Sequence, residues 1–117
     1  MPTLNVTTNA TVDRVAASDF VRAASSLVAK AVGKPEAYVM VCLRESQTMC
    51  FAGTEDPTAF VELISLGSIG GEKNKDISRT LCDFLQEKVG VPPNRTYIRF
   101  VDPQRSDFGF NGSTFQR

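Results

Sequence analysis

A chain of 117 residues, 42% hydrophobic and 22% charged, has the length and composition of a single globular domain with one core. Its 13 basic residues balance 13 acidic ones, which argues against a nucleic-acid partner and leaves little repulsion between copies of the chain. The absence of histidine removes histidine-based catalysis and most zinc sites, and no apolar run approaches the ~20 residues of a membrane span.

The chain opens MPTLNV. Proline is tolerated at the first residue of a strand, where no ladder donor is needed. A second reading is chemical: removal of Met1 leaves Pro2 with a free, rigid, basic secondary amine. Leu4 and Val6 alternate with Thr3, Asn5 and Thr7, the period of a half-buried strand. Ser18 or Asp19 is the expected cap of a helix whose apolar stripe is Phe20, Ala24, Leu27, Val28 and Ala31. Gly33 closes that helix and Pro35 forbids its resumption. A strand over Tyr38 to Leu43 follows, then a shorter one over Met49 to Phe51 that ends at Ala52-Gly53.

The scheme then recurs. Thr58 to Gly67 reads as a strand and SIGG as a turn. Asn74 or Asp76 caps a helix burying Ile77, Leu81, Phe84, Leu85 and Val89. Gly90 and the pair Pro92-Pro93 stop it, and Thr96 to Val101 is a final strand. The junctions AVGKPEAYVMV and KVGVPPNRTYIRF are alike, which favours two internal repeats, roughly 1–53 and 54–104, with a tail over 105–117.

The fold class expected is therefore α+β: two βαβ repeats forming a four-stranded mixed sheet with both helices on one face. The other face is left bare. Leu4, Val6, Met40 and Phe60 are expected there, and a bare apolar face with unpaired edges predicts an oligomer that buries sheet against sheet. The tail segment DFGFNGSTF is expected to add edge pairing.

Candidate reactive groups are few. Cys42, Cys50 and Cys82 lack a histidine base and read as small buried hydrophobes of a reducing compartment. Gly67-Ser68-Ile69-Gly70-Gly71 lacks both the dinucleotide spacing and the Walker lysine, so it is a strand-to-helix turn. Glu55, Asp56, Glu62 and Glu72 are expected to be solvated. The amine of Pro2 remains. An α-amine titrates near ~7.7–8.0, and an apolar pocket with a cation nearby lowers that value toward the range of an effective general base.

Seven motifs in order resemble the macrophage migration inhibitory factor family: MP at the start, TTN at 7–9, GKPxxYV at 33–39, FxG with a following ExP at 51–57, SxGxIGG at 65–71, N-R-x-YI at 94–98 and FNGSTF at 110–115. The resemblance spans nearly the whole chain. It implies a homotrimer of two βαβ repeats and cofactor-free keto–enol tautomerisation of phenylpyruvate-type and dopachrome-like acids. In that scheme Pro2 is the base, Lys34 pairs with the substrate carboxylate, Leu66 offers backbone groups, Tyr38 is a pocket wall, and Tyr97 comes from the neighbouring subunit.

Three departures qualify it. Arg99 stands where better-known members carry asparagine; a guanidinium there either adds a second carboxylate clamp or blocks the aromatic end. Phe108 and Phe110 replace valine and tryptophan at the rim and keep it apolar. The family's C-x-x-C is Thr58-Ala59-Phe60-Val61, so thiol oxidoreductase activity is not expected. The resemblance also implies a cytokine-like role with a cell-surface receptor as partner, and a cytoplasmic protein that leaves cells by a leaderless route. Its alternative is a binding protein whose pocket is a recognition surface rather than a catalyst.

Overall fold

In the computed structural model, which describes residues 1–116, strand β1 (Thr3–Thr8) leads to helix α1 (Arg14–Val32), strand β2 (Met40–Arg44) and strand β3 (Ala59–Ile64). Helix α2 (Gly71–Val89), strand β4 (Thr96–Val101) and the short strands β5 (Gly109–Phe110) and β6 (Ser113–Thr114) complete the chain. The sheet runs β2-β1-β3-β4, with β1 parallel to β2, β3 parallel to β4, and the central pair β1 and β3 antiparallel. This is the expected four-stranded mixed sheet built from two βαβ units. Each unit carries a helix of 19 residues.

One core holds the layers together. Phe20, Ala24 and Val28 of α1 and Ile77, Leu81 and Leu85 of α2 pack with Leu4, Val6, Val61 and Leu63 of the central strands. Across the helices Phe20 and Phe84 meet with centroids 5.1 Å apart. Leu4 and Val6, each 1% exposed, thus face the helices and not the bare face expected for them. The alternation is as read, but the helices' apolar stripes claim the apolar side of the pleat. Register aligns three rows on the opposite face: Met40–Thr3–Ile64–Val101, Cys42–Asn5–Glu62–Arg99 and Arg44–Thr7–Phe60–Tyr97. Met40 and Phe60 do lie there, 61% and 43% exposed.

The helix starts correct the expected caps. Asp13, not Ser18 or Asp19, caps α1, its Oδ1 accepting the Ala16 N–H at 2.8 Å. Asp13→Ala removes that acceptor and is expected to cost about 1 kcal/mol, seen as a lower urea midpoint with unchanged slope. Helix α2 begins at Gly71, so Asn74 lies inside it and reaches back, its Oδ1 accepting the Gly70 N–H at 2.7 Å. The turn at 67–71 is thus a self-capped strand-to-helix connection. Both helices end as expected on a left-handed glycine, Gly33 at φ 66° and Gly90 at φ 74°, a conformation that a Cβ would strain.

Other expectations fail for local reasons. Met49 to Phe51 forms no strand; Phe51 instead bridges Thr54 across a tight turn. Within this chain the tail forms its own hairpin, β5 against β6, because Asn111 (φ 52°) and Gly112 (φ 78°) make a two-residue turn, while edge pairing by the tail between copies of the chain stays a proposal. Cys42 and Cys50 are exposed rather than buried. Cys82 is half-buried, and burial, with Asp83 adding to it against a hydrogen bond from Ser78, pushes its thiol up. Glu62 is not simply solvated, since its Oε2 lies 3.1 Å from Arg99 Nη1. The tail expected over 105–117 ends at Arg117, which lies outside the described residues. Among the described residues no helix is long and apolar enough to cross a membrane.

Candidate active site

Pro2 stands immediately before β1, where a strand needs no donor, and its carbonyl accepts the Met40 N–H at 3.0 Å. That bond ties the start of the chain to the edge strand. The Pro2 side chain is less than 2% exposed. The α-amine, carried by Met1 ahead of it, is held below its ordinary value of 8.0, first by partial burial and second by the charge of Lys34. Lys34 is placed by the end of α1: its N–H donates to the Ala29 carbonyl at 3.0 Å, just after the left-handed Gly33.

The amine stands at a cavity of about 450 Å³. Its floor is Met1, Thr3, Met40 and Ile64, the first of the three rows on the helix-free face together with the terminus. Its wall is the segment Ala37 to Val39, and its roof is Phe108, Gly109 and Phe110. The roof is an aromatic stack. Phe115 lies flat on Phe110, with centroids 5.9 Å apart and an 11° tilt, and contacts Phe108 at 6.0 Å. The ring of Tyr38 meets Phe110 edge-on at 6.2 Å. The Phe115 N–H holds the hairpin down by donating to the carbonyls of Arg105 and Phe108, at 3.2 and 3.1 Å.

Of the residues expected at the site, Tyr38, Phe108 and Phe110 line this cavity; Pro2 and Lys34 do not, Pro2 following the lining residue Met1 in the chain and Lys34 lying near enough for its charge to act on the Met1 amine. Leu66 does not line it; its side chain is 7% exposed in the turn after β3. Tyr97 and Arg99 do not line it either. They project from β4 on the helix-free face, Tyr97 in the row farthest from the cavity and Arg99 paired with Glu62. Sequence reasoning missed Met40, Ile64 and Phe115. The strand register that flanks Thr3 with Met40 and Ile64 is not written in any local pattern. Phe115 did have a signal, as the last residue of a turn motif with aromatic ends.

This arrangement supplies an amine at the cavity, the charge of Lys34 acting on it, and a largely apolar chamber of small-molecule size. A family model described as Macrophage migration inhibitory factor (MIF) matches residues 1–116. A macrophage migration inhibitory factor homolog from Trichuris trichiura is 44% identical over 98% of this chain and 100% of that one. The Xenopus tropicalis macrophage migration inhibitory factor is 41% identical over 98% of this chain and 99% of its own. Among solved structures, the homologue from Prochlorococcus marinus superposes with a TM-score of 0.92 at 34% identity, over 97% of this chain and 99% of that one. The protein from Trichinella spiralis gives 0.89 at 38% identity, with the same coverage.

Proposed function

This chain belongs to the macrophage migration inhibitory factor family, and from that premise we propose that it is a cofactor-independent keto–enol tautomerase of phenylpyruvate-type and dopachrome-type acids. The observation that carries the reading is the α-amine of lowered basicity, beside Lys34, at the floor of an aromatic-roofed cavity.

Removal of Met1 moves the terminal amine one residue inward, onto the pyrrolidine nitrogen of the buried Pro2. That nitrogen, neutral, takes a proton from the carbon next to the substrate carbonyl; the C–H electrons form the C=C bond of the enolate and the charge passes to oxygen. Return of the proton to that oxygen gives the enol, and the reverse path gives the ketone. No oxidant or reductant enters the balance. Lys34 holds the carboxylate, while Tyr38, Phe108 and Phe110 enclose the ring. Leu66, its side chain buried, contributes through its backbone. Tyr97 and Arg99 reach the cavity of a neighbouring subunit in a homotrimer that covers the helix-free face. Arg99 arrives there with its charge already offset by Glu62.

The test is enol–keto conversion of phenylpyruvate by the trimmed, trimeric protein; an inert protein in that state overturns the reading. The pH dependence is signed. A base works when neutral, so kcat/KM is expected to rise with pH along a limb set by the Pro2 amine, held down by the same burial and Lys34 charge that lower the Met1 amine. Lys34→Gln removes the charge that is the second cause of the lowered basicity at the Met1 amine, and leaves burial in place. The limb is then expected to move toward higher pH while KM rises, as read from a kcat/KM profile between pH 5 and 9.

A second reading is favoured by the rim. Tyr38 and Phe110 are 50% and 55% exposed beside the cavity mouth, an apolar surface for receptor recognition in a cytokine-like role. It goes with a protein made in the cytosol and exported from it. Receptor binding that survives loss of the Pro2 base would separate the two roles.

A further inference from the structure

Tyr97 stands 65% exposed on an open sheet face, where a tyrosine left alone distributes over several rotamers. Its ring is not alone. Phe51 packs against it edge-on, with centroids 5.1 Å apart at 76°.

Phe51 is itself held rigidly. It opens a turn closed in both directions, its N–H donating to the Thr54 carbonyl at 2.9 Å and the Thr54 N–H donating back at 3.0 Å. Ala52 and Gly53 both take positive φ, 52° and 80°, the pair of conformations that a tight two-residue turn of this hand requires. The Arg95 guanidinium then braces the turn. Its Nη1 donates to the Phe51 carbonyl at 3.1 Å, its Nη2 to those of Thr54 and Asp56 at 3.3 and 3.0 Å, and its Nε to that of Pro57 at 2.9 Å. Its Cζ lies 5.2 Å from the Phe51 ring centroid, a cation–π contact. Arg95 is anchored in turn by its carbonyl, which accepts Thr58 Oγ1–H at 2.6 Å.

We infer that Phe51, braced by Arg95, is a positioning residue that fixes the Tyr97 ring, and with it the wall Tyr97 offers to a neighbouring subunit's cavity. The consequence for turnover rests on the trans role proposed for Tyr97; the positioning of the ring does not. Phe51 does not line this chain's cavity, and its effect on substrate binding is expected to pass through Tyr97.

A double-mutant cycle on the trimmed protein tests it. Phe51→Ala is expected to lower kcat/KM for phenylpyruvate roughly threefold to tenfold, mostly through KM, the range of one aromatic pair. Phe51→Tyr keeps the ring and restores the value. In a Tyr97→Ala background the same Phe51→Ala change is expected to add less than about a twofold loss. The chain has two tyrosines and no tryptophan, so ring NMR signals assigned with Tyr38→Phe report Tyr97 directly. Phe51→Ala moves the Tyr97 signals toward their free values and leaves those of Tyr38 in place. Losses of equal size in both backgrounds, or unmoved Tyr97 signals, overturn the inference. A wild-type protein inert toward phenylpyruvate overturns the proposed activity, while the Tyr97 signals still decide the positioning. Should Phe51→Ala fail to fold, Phe51→Leu, which keeps apolar volume without a ring, takes the same readouts.

Discussion

Pro2→Gly in the trimmed protein is expected to slow enol–keto conversion of phenylpyruvate by about 10²-fold in kcat/KM, the low end of what a positioned general base contributes. Glycine still leaves an amine at the terminus. What it loses is the ring, which in Pro2 is less than 2% exposed and fixes where the lone pair points. The backbone anchor is indifferent to the change, because the Met40 N–H donates to the carbonyl of residue 2 whatever its side chain. A retained Met1 acts more severely, converting the Pro2 nitrogen to an amide that accepts no proton, and is expected to give the full ~10²–10⁴-fold loss. The two forms, checked by intact mass and assayed side by side, separate the ring's share from the amine's. Equal rates in all three folded proteins would remove Pro2 from the chemistry.

Leu63→Ala is expected to lower stability by about 2–5 kcal/mol. Leu63 is 0% exposed and lies in β3, between Leu4 of β1 and Phe100 of β4, on the face that both helices cover. Neither neighbouring strand moves without breaking its ladder, so the vacated volume stays largely empty. Against a typical stability of about 5–15 kcal/mol, such a loss is a large fraction of the total. The measurement is urea unfolding at fixed protein concentration, where a lowered midpoint with unchanged slope is the expected result. A loss under about 1 kcal/mol would show that the site collapses around alanine.

Local signals carried much of the fold. Strand β4 runs Thr96–Val101 as its β-rich sequence predicts, and the glycine exits at 33 and 90 lie where the apolar stripes end. Those readings succeeded because they rest on backbone freedom and side-chain period, both local properties. The misreadings share one cause. Ser18, Asp19 and Asp76 have good capping chemistry, but the helix begins where a side chain also meets the right backbone N–H, as Asp13 does with Ala16. Met49 to Phe51 has strand-like residues, yet Ala52, Gly53 and the Arg95 brace bend it into a turn.

The candidate site divides the same way. Pro2, Lys34, Tyr38, Phe108 and Phe110 were legible as chemistry: a cyclic amine, a cation after a helix end, and aromatic rings near turns. Their convergence was not, since it depends on the parallel register of β1 with β2 and on the tail hairpin folding back over the sheet. The sequence by itself determined the order of elements, the ends of both helices and the kinds of reactive group available, because each follows from torsional preference and functional-group chemistry within a few residues. Only the tertiary structure decided which side of β1 faces the helices, that Arg99 is paired with Glu62, and that Tyr97 leans on Phe51. These are contacts between segments far apart in the chain, chosen by packing and register rather than by local preference.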